Sequence, residues 1–345
     1  MGMTKQAFGK TKDGKQATLY TLENANGMKV SVSDFGAVLV KLEVPDQNGK
    51  LADFTLFFVV VSGYDKNPSL FGAVIGPVAN RIGKATFSVD GKEYKVAVND
   101  GVNNLHSDAE IGTHKRFWNV EEGDNSVTMT LELPDGDMGF PGNKKCAVTY
   151  TLTDANEVKL HYQVSSDANC PINFTNHAYF NLLGHDGGVT TGHKLQILAD
   201  SFTLADNGSI PTGEIVPVAG TPMDFTDMQV IGDRIDADFE QLQFAGGYDH
   251  NWVLNNQDQG LRLIAVAKAP DDSRTMKVFT DLPGVQFYAG NFIAEQTGKN
   301  GAVYAKRHGF CLETQYYPDS VNKPQFPSCV FGPERVYDTT TVYQF

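Results

Sequence analysis

A single acidic residue interrupts an apolar segment near the C-terminal end of the chain. Glu313 directly follows the apolar residues 310–312, and Pro318 and Asp319 end the segment a few residues later. An ionised carboxylate is costly to bury, and burial of this kind tunes such a group for proton transfer. Glu313 is therefore the first candidate for acid/base chemistry.

Four further segments place a polar side chain among apolar or turn-forming residues. Arg81 lies in residues 76–83, His106 ends an extended piece, His177 lies among aromatic residues, and Asp249 follows two glycines. Taken singly, each has a structural reading: a hydrogen-bonded core histidine, an arginine paired with a structural carboxylate, an aspartate that forms a turn. Their presence together in one sequence favours a functional site.

Charge and motifs exclude several function classes. The 345 residues carry a formal net charge of −13 and show no cluster of Lys and Arg, which disfavours nucleic acid, anionic membrane or a phosphorylated substrate. Phosphate-binding glycine loops, the His-Glu-x-x-His zinc motif and the Gly-x-Ser-x-Gly elbow are missing from the sequence. Metal-ligand spacing is also missing, so we predict neither a metal nor another cofactor.

Cysteine usage indicates a reducing compartment. The four cysteines are scattered and form no Cys-x-x-Cys pair, which predicts reduced, mostly buried thiols. Residues 1–12 carry no apolar signal core, and the apolar run 54–61 is too short to span a bilayer. We expect a cytoplasmic protein.

Turn dipeptides and short alternating runs predict an all-β fold. Asp90-Gly91 joins two such runs as a hairpin, because Asp-Gly tolerates the positive φ angles of a type I′ turn. Further predicted strands are residues 126–133, 145–152, 158–164, 195–204, 261–267 and 276–280, with a short helical turn at 227–231. With no linker and no fixed repeat, residues 1–345 are interpreted as one domain, a large antiparallel β-sandwich.

The order of these motifs resembles the aldose 1-epimerase family, the galactose mutarotases. The resemblance covers nearly the whole chain and rests on Ala79-Asn80-Arg81-Ile82, Asn104-Leu105-His106, Thr175-Asn176-His177-Ala178-Tyr179-Phe180-Asn181-Leu182, Tyr248-Asp249-His250, Pro283-Gly284-Val285-Gln286-Phe287-Tyr288-Ala289-Gly290-Asn291 and Leu312-Glu313-Thr314-Gln315 with Pro318-Asp319. It implies the galactose mutarotase-like supersandwich, which agrees with the all-β reading.

The resemblance also implies roles for individual residues. The general base falls on Glu313, the general acid on His177, and the second active-site histidine on His106. The binders of sugar hydroxyls are Asn80, Arg81, Asp249 and Gln286. An aromatic residue (Phe287, Tyr288 or Tyr179) is expected to stack on the sugar. Positive neighbours or hydrogen-bond donors are expected around Glu313.

Three positions depart from the family pattern. Ser107 and Asp108 stand where two glycines usually follow the first histidine. We expect this difference to add a hydrogen-bonding group near the sugar. Pro77 replaces a frequent arginine, and residues 54–65 are more apolar than usual. These last two are expected to concern packing.

The implied activity is exchange of the α and β anomers of free aldohexoses such as galactose and glucose. The partner is a monosaccharide, and the chain is expected to be a monomer or a weak homodimer. Three alternatives stay open: a non-catalytic carbohydrate-binding module, a hexose-6-phosphate epimerase, and a glycoside hydrolase using Asp249 with Glu313.

Overall fold

The computed structural model describes residues 2–46 and 48–345, so only Met1 and Gln47 lie outside it. The strands are β1 Gly2–Lys10, β2 Gln16–Glu23, β3 Lys29–Ser33, β4 Leu39–Pro45, β5 Leu51–Asp53, β6 Val74–Ile75, β7 Arg81–Ile82, β8 Thr86–Val89, β9 Lys92–Lys95, β10 Asn104–Leu105, β11 Asn119–Gly123, β12 Ser126–Leu133, β13 Lys144–Leu152, β14 Glu157–Ser166, β15 Cys170–Pro171, β16 Thr175–Asn176, β17 Lys194–Ile197, β18 Ser201–Ala205, β19 Pro211–Pro217, β20 Gln229–Val230, β21 Asp249–Val253, β22 Arg262–Lys268, β23 Thr275–Thr280, β24 Gly284–Tyr288, β25 Gln296–Thr297, β26 Val303–Tyr304, β27 Cys311–Gln315, β28 Val330–Phe331 and β29 Tyr337–Gln344. The α-helices of the described residues are α1 Ser62–Lys66 and α2 Glu240–Ala245.

Three antiparallel sheets carry most of the strands. The largest has nine strands in the order β11-β12-β13-β14-β29-β23-β22-β17-β20. One five-stranded sheet is formed by β1 to β5 in sequence order, and the other has the order β19-β18-β21-β24-β27. The remaining strands form two-stranded pairs, among them β7 with β10 and β6 with β16. The all-β sandwich expected from the sequence is confirmed.

Most predicted strands occur with boundaries within one or two residues, and the Asp90-Gly91 hairpin joins β8 to β9. The predicted strand 195–204 is wrong as one element, because β17 and β18 belong to different sheets and the chain turns between them. The predicted helical turn at 227–231 is also wrong: β20 occupies residues 229 and 230, and a 3₁₀ turn starts only at Ile231. The sequence does not predict the short helices α1 and α2, because a helix of one or two turns shows too little periodicity.

Strands β21, β24 and β27 lie in the interior, and β24 and β27 are buried along their whole length. Alternate side chains of a strand point to opposite faces. On β27, Thr314 contacts Thr341 of the nine-stranded sheet, so Leu312 and Thr314 face the core. Cys311, Glu313 and Gln315 therefore face the other way. This arrangement places a carboxylate on an interior face that apolar packing does not fill.

No helix within 2–46 and 48–345 is both long and apolar enough to cross a membrane.

Candidate active site

A cavity of about 180 Å³ lies where the five-stranded sheet β19-β18-β21-β24-β27 meets the short pairs β7/β10 and β6/β16. Six of the seven predicted site residues line this cavity: Asn80, Arg81, His106, His177, Asp249 and Glu313. They come from positions up to 233 residues apart in sequence (313 − 80) and are brought together only by the fold. Gln286 does not belong to this lining.

Three neighbouring strands form one wall of the cavity. Cross-strand pairing places Gln286 between Asn251 of β21 and Glu313 of β27. In the adjacent row, Tyr288 lies between Asp249 and Cys311. Residues paired directly across antiparallel strands share one face, so these two rows carry the acidic and amide groups into the same region.

The opposite wall is held by reciprocal hydrogen bonds between Asn80 and His106. The His106 N–H donates to the Asn80 carbonyl at 2.9 Å, and the Asn80 N–H donates to His106 Nδ1 at 3.1 Å. Both residues adopt positive φ angles, 61° for Asn80 and 56° for His106. Non-glycine residues in this region are uncommon and often occur at functional sites. Because Nδ1 accepts a hydrogen bond, the neutral ring of His106 carries its proton on Nε2.

His177 and Glu313 lie side by side in the lining of the cavity. Nε2 of His177 is 3.6 Å from Oε1 of Glu313. His177 Nδ1 lies 3.5 Å from Sγ of Cys311, and the ring of Tyr179 stacks on the imidazole with a centroid distance of 5.0 Å. The imidazole of His177 thus lies between the ring of Tyr179 and strand β27.

Burial opposes charge on both members of this pair. Burial raises the pKa of Glu313 well above 4.5, the Asp249 carboxylate raises it further, and Arg81 lowers it. Burial likewise lowers the pKa of His177 to about 4. Arg81 is the positive neighbour that we expected near Glu313. The expected hydrogen-bond donors are not found, because Oε2 of Glu313 is buried without a partner among the described residues.

Asp249 is fixed by a chain of side-chain amides behind it. Gln286 Nε2 donates to Asp249 Oδ1 at 2.7 Å. Gln315 Nε2 in turn donates to Gln286 Oε1 and to Asn251 Oδ1, each at 3.1 Å. Gln286 therefore lies behind Asp249. Its predicted contact with sugar stays a prediction, while its contact with Asp249 orients an acceptor at the cavity surface.

Arg81 is oriented from outside the cavity. Its Nε donates to Asp100 Oδ2 at 2.7 Å, which leaves the two terminal nitrogens without a partner among the described residues. A guanidinium held through Nε presents a fork of donors that matches vicinal oxygens.

Two of the three aromatic residues expected near the sugar line the cavity, namely Tyr179 and Tyr288. Phe287 does not, because it alternates to the core face of β24 and packs on Tyr248 and Phe225. Phe292, which the sequence did not single out, lies at the rim with 66% of its surface exposed. Pro68, Ser69 and Leu70 complete the rim, and no motif marks them.

The three departures from the family pattern lie outside the cavity lining. The Ser107 hydroxyl donates to the Val78 carbonyl and accepts from the Val78 N–H, both at 2.9 Å, so it is committed to the backbone. Asp108 accepts the N–H groups of Glu110 and Ile111. The expected added group near the sugar is therefore absent from the residues that line the cavity. Phe54, Leu56 and Phe57 of the apolar segment are buried, as expected for a packing role.

One ring nitrogen each from His106 and His177 and one oxygen of Glu313 lie within 4.8 Å of one another, a spacing that a metal ion also requires. The tautomer of His106 does not suit a metal, since Nδ1 accepts from Asn80 and Nε2 then carries a proton instead of a lone pair. The cluster is better matched to a molecule that exchanges protons and hydrogen bonds.

Comparisons with known proteins agree with this geometry. The family model for aldose 1-epimerase matches residues 18–344. The chain is 40% identical to galactose mutarotase of Homo sapiens over 344 residues, covering 99% of this chain and 98% of that protein. It is 38% identical to aldose 1-epimerase of Escherichia coli strain K12, covering 96% of each chain.

Solved structures show the same likeness. Galactose 1-epimerase from Lactobacillus acidophilus has a TM-score of 0.84 at 27% identity, covering 100% of this chain and 98% of that one. The GalM/aldose epimerase homologue from C. elegans also gives 0.84, at 28% identity over 94% and 98% of the two chains. Family model, full-length relatives and structures therefore coincide with the motifs, and this chain belongs to the aldose 1-epimerase family.

Proposed function

We propose that this protein interconverts the α and β anomers of free aldohexoses, galactose and glucose among them, with Glu313 as general base and His177 as general acid. His106, Asn80, Arg81 and Asp249 hold the sugar hydroxyls. Its relatives are named galactose mutarotase and aldose 1-epimerase, which supports both the activity and the sugar.

The observation that carries this proposal is the unpartnered oxygen of Glu313. Burying a carboxylate oxygen without a hydrogen bond costs on the order of several kcal/mol of free energy. A ligand that donates a hydrogen bond to this oxygen would remove that cost. Glu313 lines the cavity, and its Oε2 has no hydrogen-bond partner in the described part of the chain. The C1 hydroxyl of an aldose supplies such a donor, and it is also the proton that anomer exchange must remove.

Ring opening moves two protons. Glu313 takes the proton of the C1 hydroxyl, and the protonated His177 gives its Nε2 proton to the ring oxygen O5. The C1–O5 bond breaks, its electron pair stays on O5, and C1 becomes an aldehyde carbon. Rotation about C1–C2 exposes the other face of the carbonyl, and the reverse proton transfers close the ring as the other anomer.

The electrostatics of the site favour this step. The form that reacts is the charged pair, with Glu313 ionised and His177 protonated, and ring opening converts it to a pair in which both residues are neutral. Burial raises the pKa of Glu313 and lowers the pKa of His177 to about 4, so both shifts favour the neutral pair that ring opening produces. Each proton-transfer group is worth roughly 10²–10⁴-fold in rate.

Hydroxyl recognition uses polar groups of residues that line the cavity. Nε2–H of His106 and the terminal nitrogens of Arg81 are donors, and the carboxylate of Asp249 is an acceptor. Among the described residues that line the cavity, one cationic side chain, Arg81, stands against the carboxyl groups of Asp249 and Glu313. This balance favours a neutral sugar over a hexose phosphate.

Polarimetry tests the proposal. Freshly dissolved α-D-galactose and α-D-glucose are followed with and without protein, and methyl α-D-galactoside serves as a substrate that cannot open its ring. We expect accelerated equilibration of the free sugars and no change in the glycoside. Release of reducing sugar from the glycoside would instead indicate a hydrolase, and binding without acceleration would indicate a sugar-binding module.

We also propose a cytoplasmic location. It is supported by four buried cysteines that form no disulfide. The monomer or weak homodimer expected from the sequence stays a prediction, which light scattering after size-exclusion chromatography tests.

A further inference from the structure

Strand β27 contacts both ring nitrogens of His177. Glu313 lies 3.6 Å from Nε2, and Cys311, two residues earlier on the same face of the strand, lies 3.5 Å from Nδ1. Both Cys311 and Glu313 are buried, with 0% and 3% of their surface exposed. Strand β27 therefore fixes Glu313, the proposed base, relative to Cys311, the second residue in contact with the proposed acid His177.

We propose that Cys311 is a positioning residue for the acid: its sulfur accepts a hydrogen bond from Nδ1–H of His177, so that Nε2 is the nitrogen that gives and takes the catalytic proton. This inference rests on the proposed function and assigns a role to a residue that does not line the cavity.

The tautomer follows from proton counting. A neutral imidazole carries one proton, on either Nδ1 or Nε2. If the Cys311 thiol donated to Nδ1, the proton would lie on Nε2, and its loss would leave an imidazolate anion in a buried site. If Nδ1–H donates to sulfur, Nε2 alternates between a lone pair and a proton, as the reaction requires. His106 has the opposite tautomer, because its Nδ1 accepts from Asn80.

A thiol suits this position because it is a weak, uncharged acceptor. Burial raises the pKa of Cys311 well above 9.0, and the carboxylates of Glu313 and Asp249 raise it further, so the sulfur stays protonated. A weak acceptor stabilises the imidazolium less than a carboxylate does, which keeps His177 a strong acid.

The remaining groups around His177 do not supply that stabilisation. The rings of Tyr179, Tyr288 and His106 face it, at centroid distances of 5.0, 6.3 and 5.4 Å. Burial raises the pKa of both tyrosines and lowers the pKa of His106, so all three are neutral near pH 7. Arg81 and Asp249 carry opposite charges on the cavity wall, and Glu313 lies on the other ring nitrogen.

Imidazole ¹⁵N NMR reads the tautomer directly. With ¹⁵N-labelled histidine, and with the His177 signals assigned by their loss in His177→Asn, we expect the Nδ1–H tautomer near pH 7 in the wild-type protein. Cys311→Ala should shift the ring toward Nε2–H and lower kcat about tenfold with KM changed less than about twofold. Cys146→Ala is the matched control: it removes another buried thiol and should leave the His177 tautomer unchanged.

Cys311→Ser provides a variant of nearly the same size. Its hydroxyl is a stronger acceptor, so it should keep most of kcat and move the alkaline limb of the pH–rate profile up by about 0.5 pH unit. A wild-type ring protonated on Nε2, or a Cys311→Ala protein with unchanged tautomer and kcat, would overturn the inference. Failure of the proposed function looks different, because the wild-type protein would then not accelerate equilibration, or Glu313→Gln and His177→Asn would keep the wild-type activity.

Discussion

Nε2 of His177 and Oε1 of Glu313 lie 3.6 Å apart in a buried cavity. The two sugar oxygens that exchange protons during anomer interconversion, O1 and O5, are both bonded to C1. An acid and a base that serve them must therefore lie close together, and two such groups on facing segments meet this requirement. A binding module has no need to bury a carboxylate against an imidazole.

Replacing the acid should affect turnover more than binding. We expect His177→Asn to lower kcat for galactose by roughly 10²–10⁴-fold, because the ring oxygen loses its proton donor, with a smaller change in KM. Polarimetry at several sugar concentrations separates the two constants. His193→Gln, at a buried histidine outside the cavity, is the control. A change in KM alone would make His177 a binding residue.

Removing the charge of Asp249 should change both binding and pH dependence. Asp249→Asn takes away an acceptor for sugar hydroxyls, and we expect KM to rise about tenfold, in line with loss of a hydrogen bond to a charged group. The Asp249 carboxylate also raises the pKa of Glu313, so its loss should lower that pKa and move the acidic limb of kcat/KM to lower pH. An acidic limb that stays in place would show that Asp249 does not act on Glu313.

The buried histidines make folding stability depend on pH. Burial lowers the pKa of His114, His177, His193 and His250 to about 4, against 6.5 in the unfolded chain. Below pH 6.5 the unfolded state binds protons that the folded state does not, so the free energy of unfolding falls as the pH drops from 6.5 to 4. Each histidine contributes at most about 1.4 kcal/mol per pH unit.

Urea unfolding at pH 7, 6 and 5 measures this slope. The raised pKa values of Glu313 and Asp249 oppose this slope in part, because the folded state keeps protons on both carboxyls that the unfolded state loses as the pH rises. His193→Gln should give a shallower slope than the wild type, since one of the histidines with a lowered pKa is removed. An equal slope in both proteins would contradict a neutral buried His193.

Local sequence carried much of the fold but not the geometry of the site. Strand β12 was predicted at its observed bounds because alternation between Ser126 and Leu133 reflects one buried face. The sequence predicts β17 and β18 as one strand, because both are apolar and the bend between them carries no Gly or Pro. Which sheet a strand joins depends on partners far away in sequence, and no local pattern records this.

The site residues were named through the family resemblance, and their arrangement came from the structure. Gln286 illustrates the difference: its motif marks it as a site residue, whereas cross-strand register places its amide behind Asp249. Cys311 carried no signal of its own, since a cysteine in an apolar strand is usually a packing residue. Its relation to His177 appears only when β27 is placed against residue 177.

The most direct test of the account is optical rotation of fresh α-D-galactose with wild-type protein and with Glu313→Gln. The amide keeps the size of the side chain but cannot accept the proton of the C1 hydroxyl. We therefore predict that the catalysed rate of anomer exchange falls by roughly 10²-fold or more, while galactose still binds in a calorimetric titration. A variant that binds galactose and equilibrates its anomers at a near-normal rate would contradict the assignment of Glu313 as the base.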